Sequence, residues 1–148
     1  MLFRSTVDRL VLISGNFHHD GLVAELDLNE LAGNDYLADV YGELSPDGRD
    51  HFPVVAAKII RMATSEPTLN PADLAQVAAR TLVMAGDDDM VSAEHTLLMY
   101  RSIPDSELAV VPGTSHALII EKPDLCNQII LDFLTKDPTP TFMPIRRA

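Results

Sequence analysis

The chain has 148 residues, 47% of them hydrophobic, which suits one folded domain with a buried core and is too apolar for a disordered chain. Its formal net charge of −11, from 11 Lys and Arg against 22 Asp and Glu, argues against nucleic acid or anionic lipid as a partner, because both need clustered cations. A single cysteine, Cys126, excludes an internal disulfide, and no apolar run approaches the ~20 residues a membrane-spanning helix requires.

Leu10-Val11-Leu12-Ile13 is a short unbroken apolar run ending at Ser14-Gly15, the pattern of a strand covered on both faces. Residues 16–79 are too many for a simple crossover and carry helical patterns of their own, so they read as an inserted helical cap or lid. Within them Phe52 to Ala63 reads as a helix with Pro53 in its first turn, and Asn70-Pro71-Ala72-Asp73-Leu74 as a capped helix start. Thr81-Leu82-Val83-Met84-Ala85 forms a second strand pattern ending at Gly86, and Ser92 can cap a helix that runs to Ile103 with Glu94 near its positive end. Leu108-Ala109-Val110-Val111 repeats the strand pattern and stops at Pro112-Gly113. Pro123 can open a last helix in which Leu125, Ile129, Ile130 and Phe133 recur at helical spacing, and residues 138–148 read as a Pro-rich tail. Three strand runs of one kind, two of them joined through a helix, predict an α/β fold with a short parallel sheet flanked by helices. Cys126, inside the last helix, reads as a small hydrophobe.

The segment ending Ala85-Gly86-Asp87-Asp88-Asp89 resembles the strand and G-x-x-D turn that presents the triad acid in α/β-hydrolases, and Pro112-Gly113-Thr114-Ser115-His116 resembles that family's histidine loop. Asp89 and His116 lie 27 residues apart, with one helix and one strand pattern between them, and the order acid then histidine fits the family. Val7 to Ser14 looks like the strand that follows the nucleophile helix, and Ser45-Pro46-Asp47-Gly48 through Lys58 and Met62 looks like the cap of bacterial members. The resemblance implies the C-terminal portion of an α/β-hydrolase, with His116 as general base and acid and Asp89 as its orienting carboxylate. Asp87 and Asp88 stay open as substitutes for Asp89, and the alternative reading is that all three are solvated loop acids preceding a helix.

The nucleophile elbow, a G-x-S-x-G turn between strand and helix, belongs before Leu10, where only nine residues stand, so no nucleophile is assigned in this chain. Gly113-Thr114-Ser115-His116-Ala117 mimics an elbow, but Pro123 interrupts any helix starting there and no histidine follows His116. Ser14 reads as an ordinary strand-end residue, because Leu12 occupies the place of the elbow's first glycine. His18-His19-Asp20 reads as a solvated loop whose adjacent histidines point apart, Asp87-Asp88-Asp89 lacks the alternation of a calcium loop, and no metal or cofactor is assigned. His51 and His95 read as exposed polar residues at helix starts.

The expected function is hydrolysis of a small apolar ester or related acyl substrate, with a serine or aspartate nucleophile supplied by other sequence. Phe17, Leu22, Leu26, Tyr36, Tyr41, Phe52, Ile59 and Met62 would line or cover an apolar pocket, or would simply form the core of the cap. The competing expectation is a non-catalytic remnant that self-associates or binds a front-half chain through its first strand. The N-terminus lacks a basic region followed by an apolar core and a small-residue cleavage site, so the expected compartment is the cytoplasm.

Overall fold

The three aliphatic runs become three strands of one sheet, for a reason visible in the computed structural model, which describes residues 6–23 and 27–145. In chain order the elements are β1 (Arg9–Ile13), a 3-10 turn (His19–Gly21), α1 (Asn29–Ala32), α2 (Asp35–Leu44) and a second 3-10 turn (Arg49–His51). There follow α3 (Phe52–Ala63), α4 (Pro71–Leu74), β2 (Arg80–Asp88), α5 (Ala93–Ser102), β3 (Ser106–Ser115), α6 (Leu118–Glu121) and α7 (Pro123–Thr135). The sheet order is β1-β2-β3 and both pairings are parallel, with Leu10 beside Thr81 and Thr81 beside Ser106.

Both faces of this sheet are covered, which is why its strands are apolar without alternation. Val11, Ile13, Leu82, Met84, Ala109 and Val111 point to one face, where Leu118 of α6 and Cys126, Ile129, Ile130 and Phe133 of α7 meet them. Leu12, Val83 and Leu108 point the other way, against Phe17, Leu74 of α4, Val77, and Met99, Tyr100 and Ile103 around α5. Each fully buried Leu, Val or Met here contributes about 1.5–3 kcal/mol, against about 1 kcal/mol for a good helix cap, so the sheet faces dominate stability. Cys126 is fully buried and its thiol reaches the Leu118 carbonyl at 3.3 Å, as expected of a small apolar side chain at a packed crossing.

The helix ends follow from local chemistry. Ser92 caps α5 by accepting from the His95 amide at 3.2 Å. Asn70 and Asp73 form a reciprocal capping box at α4. Pro53 and Pro123 sit in the first turns of α3 and α7, where a missing N–H costs nothing. Helices α1 to α3 build a separate apolar cluster from Ala38, Phe52 and Ala56, with Leu37 and Tyr41 against it. Arg49 ties this cluster's surface together by ion pairs to Asp35 and Asp39, both at 2.5 Å.

Two strands are longer than their apolar runs. β2 continues through Gly86 and Asp87 to Asp88, and β3 continues through Pro112 and Gly113 to Ser115, with an irregularity between Gly86 and Asp88 after which Asp88 pairs with Ser115. Glycine at 86 permits this, since a Cβ there would collide with the Thr114 and Ser115 carbonyl oxygens. Residues 138–145 form no helix or strand, and 146–148 of the expected tail lie outside the described residues. Among the described residues no helix is long and apolar enough to cross a membrane.

Candidate active site

Because all three strands run parallel, their C-terminal ends emerge along one edge of the sheet, and a polar residue follows each: Ser14 after β1, Asp89 after β2, His116 after β3. These three form one hydrogen-bonded group. His116 Nδ1 lies 2.8 Å from Asp89 Oδ1, which also accepts from the Val91 amide at 3.1 Å. Ser14 Oγ donates to Asp89 Oδ2 at 2.5 Å, and the Gly86 amide approaches the same oxygen at 3.4 Å.

The Asp89 side chain is only 2% exposed. Burial by itself pushes its carboxyl up, but the hydrogen bonds from Ser14, His116 and the Val91 amide, with the nearby His116 charge, outweigh that and hold it below the usual carboxylate range. An ionised Asp89 can only accept, so the hydrogen bond places the proton of a neutral His116 on Nδ1 and leaves the lone pair on Nε2. The His116 side chain is 43% exposed and can therefore exchange protons with a group from outside the sheet.

The neighbouring acids divide the work. Asp87, left open in sequence as a substitute acid, accepts from the Thr114 amide at 3.0 Å, and the Gly113 and Thr114 amides hold its carboxyl below the usual range. It fastens the histidine loop, while the His116 ring bonds Asp89. Asp88 is exposed. The loop itself turns at Gly113, whose φ of +65° suits a residue without a Cβ. Lys122 Nζ donates to the Pro112 carbonyl at 2.5 Å, and the Ser115 amide and hydroxyl both donate to Glu121 at 2.7 Å, which lowers the Glu121 carboxyl below its usual range. Ser115 is thereby engaged away from His116, and α6 after it is a single turn, unlike the long helix of an elbow.

Ser14 is the residue that sequence reasoning missed. It is 8% exposed, its φ of +47° is unusual for a residue with a side chain, and its amide also bonds the Met84 carbonyl at 2.8 Å. A strand-end position read as ordinary thus carries a strained conformation and a bond to the buried acid. The positive φ was not legible, but a polar residue at the end of a central-type strand was the available signal.

Other expectations need correction. His95 is half-buried, stacks on Phe17 with ring centroids 4.0 Å apart, and its Nε2 accepts from the Phe17 amide at 3.2 Å; burial pushes its imidazole pKa down. His51 is also half-buried and stacks near Tyr41 at 6.4 Å. His18 and His19 do not point apart: their rings stack at 4.4 Å and both Nδ1 atoms face Asp20, because a 3-10 turn replaces the extended loop expected there. The residues expected to line one apolar pocket are dispersed. Phe17 belongs to the sheet core and Phe52 and Tyr41 to the helical cluster, Leu22 is half-buried, and Tyr36, Ile59 and Met62 are exposed. Leu26 lies outside the described residues.

No protein-family model matches the chain. A proline iminopeptidase, PfmaB, of Pestalotiopsis fici is 35% identical over 65 residues, covering 43% of this chain and 23% of that protein. A meta-cleavage product hydrolase from Pseudomonas fluorescens superposes with a TM-score of 0.66 at 18% identity, over 89% of this chain and 58% of that one. An α/β-hydrolase enzyme from a Mar Chica lagoon sediment metagenome gives 0.61 at 19% identity, over 90% of this chain and 52% of that one. The chain thus spans little more than half the length of these solved relatives and a smaller share of the curated one. With its short parallel sheet, its covered faces and these neighbours, the chain adopts part of the fold seen in α/β-hydrolases.

Proposed function

We propose that this chain supplies the acid and the histidine of a nucleophile-acid-histidine triad that hydrolyses an ester or related acyl bond of a small apolar substrate. The supporting observation is the 2.8 Å contact between His116 Nδ1 and a nearly inaccessible, ionised Asp89. In this reading His116 Nε2 takes the proton of a serine hydroxyl as that oxygen attacks the acyl carbon, then returns it to the leaving group. Asp89 fixes the tautomer and steadies the imidazolium formed in between. The Ser115 hydroxyl donates to Glu121 and that of Ser14 to Asp89, so neither is bonded to His116, and the reading takes the attacking serine from sequence outside these 148 residues.

The test joins this chain to a front-half α/β-hydrolase polypeptide that carries a nucleophile elbow and follows p-nitrophenyl ester hydrolysis and fluorophosphonate labelling. His116→Ala should lower kcat by about 10³-fold or more with labelling lost in parallel. Unchanged turnover in that variant, or labelling of an internal serine in the 148-residue chain alone, would overturn the reading.

A second reading, a binding or assembly module, is favoured by one observation. Among the described residues β1 has a strand neighbour on one side only, and Leu10 to Ile13 are half-buried. Association of the isolated chain without any ester hydrolysis in the joined protein would favour it over the triad.

A further inference from the structure

We propose that Ser14 is a positioning residue for His116: its hydroxyl fixes the plane of the Asp89 carboxylate and so keeps one oxygen aimed at the imidazole. This rests on the triad reading above and adds to it a member that neither attacks the substrate nor carries its proton. Asp89 divides its oxygens between two tasks. Oδ1 meets His116 Nδ1 at 2.8 Å and the Val91 amide at 3.1 Å, while Oδ2 takes the Ser14 hydroxyl at 2.5 Å. The Gly86 amide reaches Oδ2 only at 3.4 Å, near the limit of a hydrogen bond, so among the described residues the grip on that oxygen is the serine's.

A carboxylate turns about its Cβ–Cγ bond as one planar body, and that torsion is soft. Holding Oδ2 therefore sets where Oδ1 points. Water is a poor substitute holder, since the Asp89 side chain is 2% exposed and Ser14 is 8% exposed. Burial pushes the Asp89 carboxyl up, and the Ser14 hydroxyl leads the contacts that hold it down. Without that hydroxyl the carboxylate is free to turn or to take up a proton. Either change removes the ionised acceptor that keeps the imidazole proton on Nδ1, and with it the free lone pair on Nε2.

The backbone at position 14 also asks for this side chain. Ser14 holds a φ of +47°, which glycine takes without strain, and a glycine follows it directly at position 15. The positive φ nevertheless falls on the serine, although a Cβ at Gly15 would meet nothing within 4 Å. A residue serving the turn alone needs no hydroxyl. The Ser14 amide bonds the Met84 carbonyl at 2.8 Å, so backbone and side chain together fasten the end of β1 to the end of β2 on either side of Gly86.

The tautomer of His116 is the readout, because a serine that served only the turn would not move it. Nitrogen-15 spectra of the histidine-labelled 148-residue chain, taken above the pH at which the ring titrates, report it, with the His116 signals assigned by their loss in His116→Ala. The unaltered chain should carry the proton on Nδ1. Ser14→Gly, which relieves the positive φ and deletes the hydroxyl, should move it to Nε2 in about half of the molecules or more, and Ser14→Ala should do the same. Ser14→Thr keeps the hydroxyl while its branched Cβ resists the positive φ, so it should melt at a lower temperature and still hold the proton on Nδ1. An Nδ1 proton retained in both Ser14→Gly and Ser14→Ala, or lost in folded Ser14→Thr, sinks the proposal. In the joined protein, Ser14→Gly should lower kcat about tenfold with KM unchanged, and Ser14→Thr should recover it. Unchanged turnover in His116→Ala would instead strike the triad reading and with it the catalytic use of Ser14, while the ring signal still reports whether Ser14 holds Asp89.

Discussion

At Asp89 burial favours the neutral carboxyl, and the hydroxyl, imidazole and backbone amide that meet its oxygens outweigh that and favour the charged form. Its folded-state pKa lies below the unfolded value, so its contribution to stability is complete above the unfolded pKa and is lost as pH falls through the folded one. Ser14→Ala removes one of those donors and should cost about 1–3 kcal/mol at pH 7, with the cost shrinking at an acid pH low enough to protonate the folded-state carboxylate. Urea denaturation at both pH values checks this, and an equal cost at both would show that the hydroxyl does not support the charge. Gly86→Ala should cost about 3 kcal/mol or more and displace the histidine loop, read as melting temperature together with the His116 ring resonances by NMR. The sequence placed Asp89 and His116 through their turn and loop patterns, and the hydrogen bond between them is observed. The division between Asp87 and Asp89 depends on which carboxylate meets the Thr114 amide and which meets Ser14, contacts 27 and 75 positions away that no local pattern encodes.

Among the elements, those with local punctuation were legible. The bounds of α3 follow Phe52 to Ala63 as expected, α5 begins after Ser92, and α7 begins at Pro123. The extra length of β2 and β3 and the single turn of α6 were not, because they depend on Gly86 admitting the facing carbonyls and on Glu121 reaching back to Ser115. One inter-element tie is a test in itself. Arg80 pairs with Glu107 at 2.6 Å, donates to the Phe133 and Lys136 carbonyls at the end of α7, and lies over the Phe133 ring at 4.5 Å. Its side chain is 12% exposed, so Arg80→Ala should cost about 2–3 kcal/mol by urea denaturation. Arg80→Lys should recover less than half of that, since an ammonium cannot fork between a carboxylate and two carbonyls.

For the whole molecule, the open side of β1 and the charge of −11 act against each other. Self-association through β1 should rise with protein concentration and strengthen as salt screens the like charges, measured by sedimentation at low and at about 0.5 M ionic strength. A monomer under all these conditions would show that β1 is not an association edge. The direction of any strand that joins there matters more than its affinity. A neighbour would lie about 4.8 Å from β1. Laid parallel, it would deliver its own C-terminal end next to Ser14, in line with Asp89 and His116, whereas laid antiparallel it would deliver a strand start. Polarity of docking, rather than docking as such, would then separate an assembly that can complete a reactive row from one that only buries an edge.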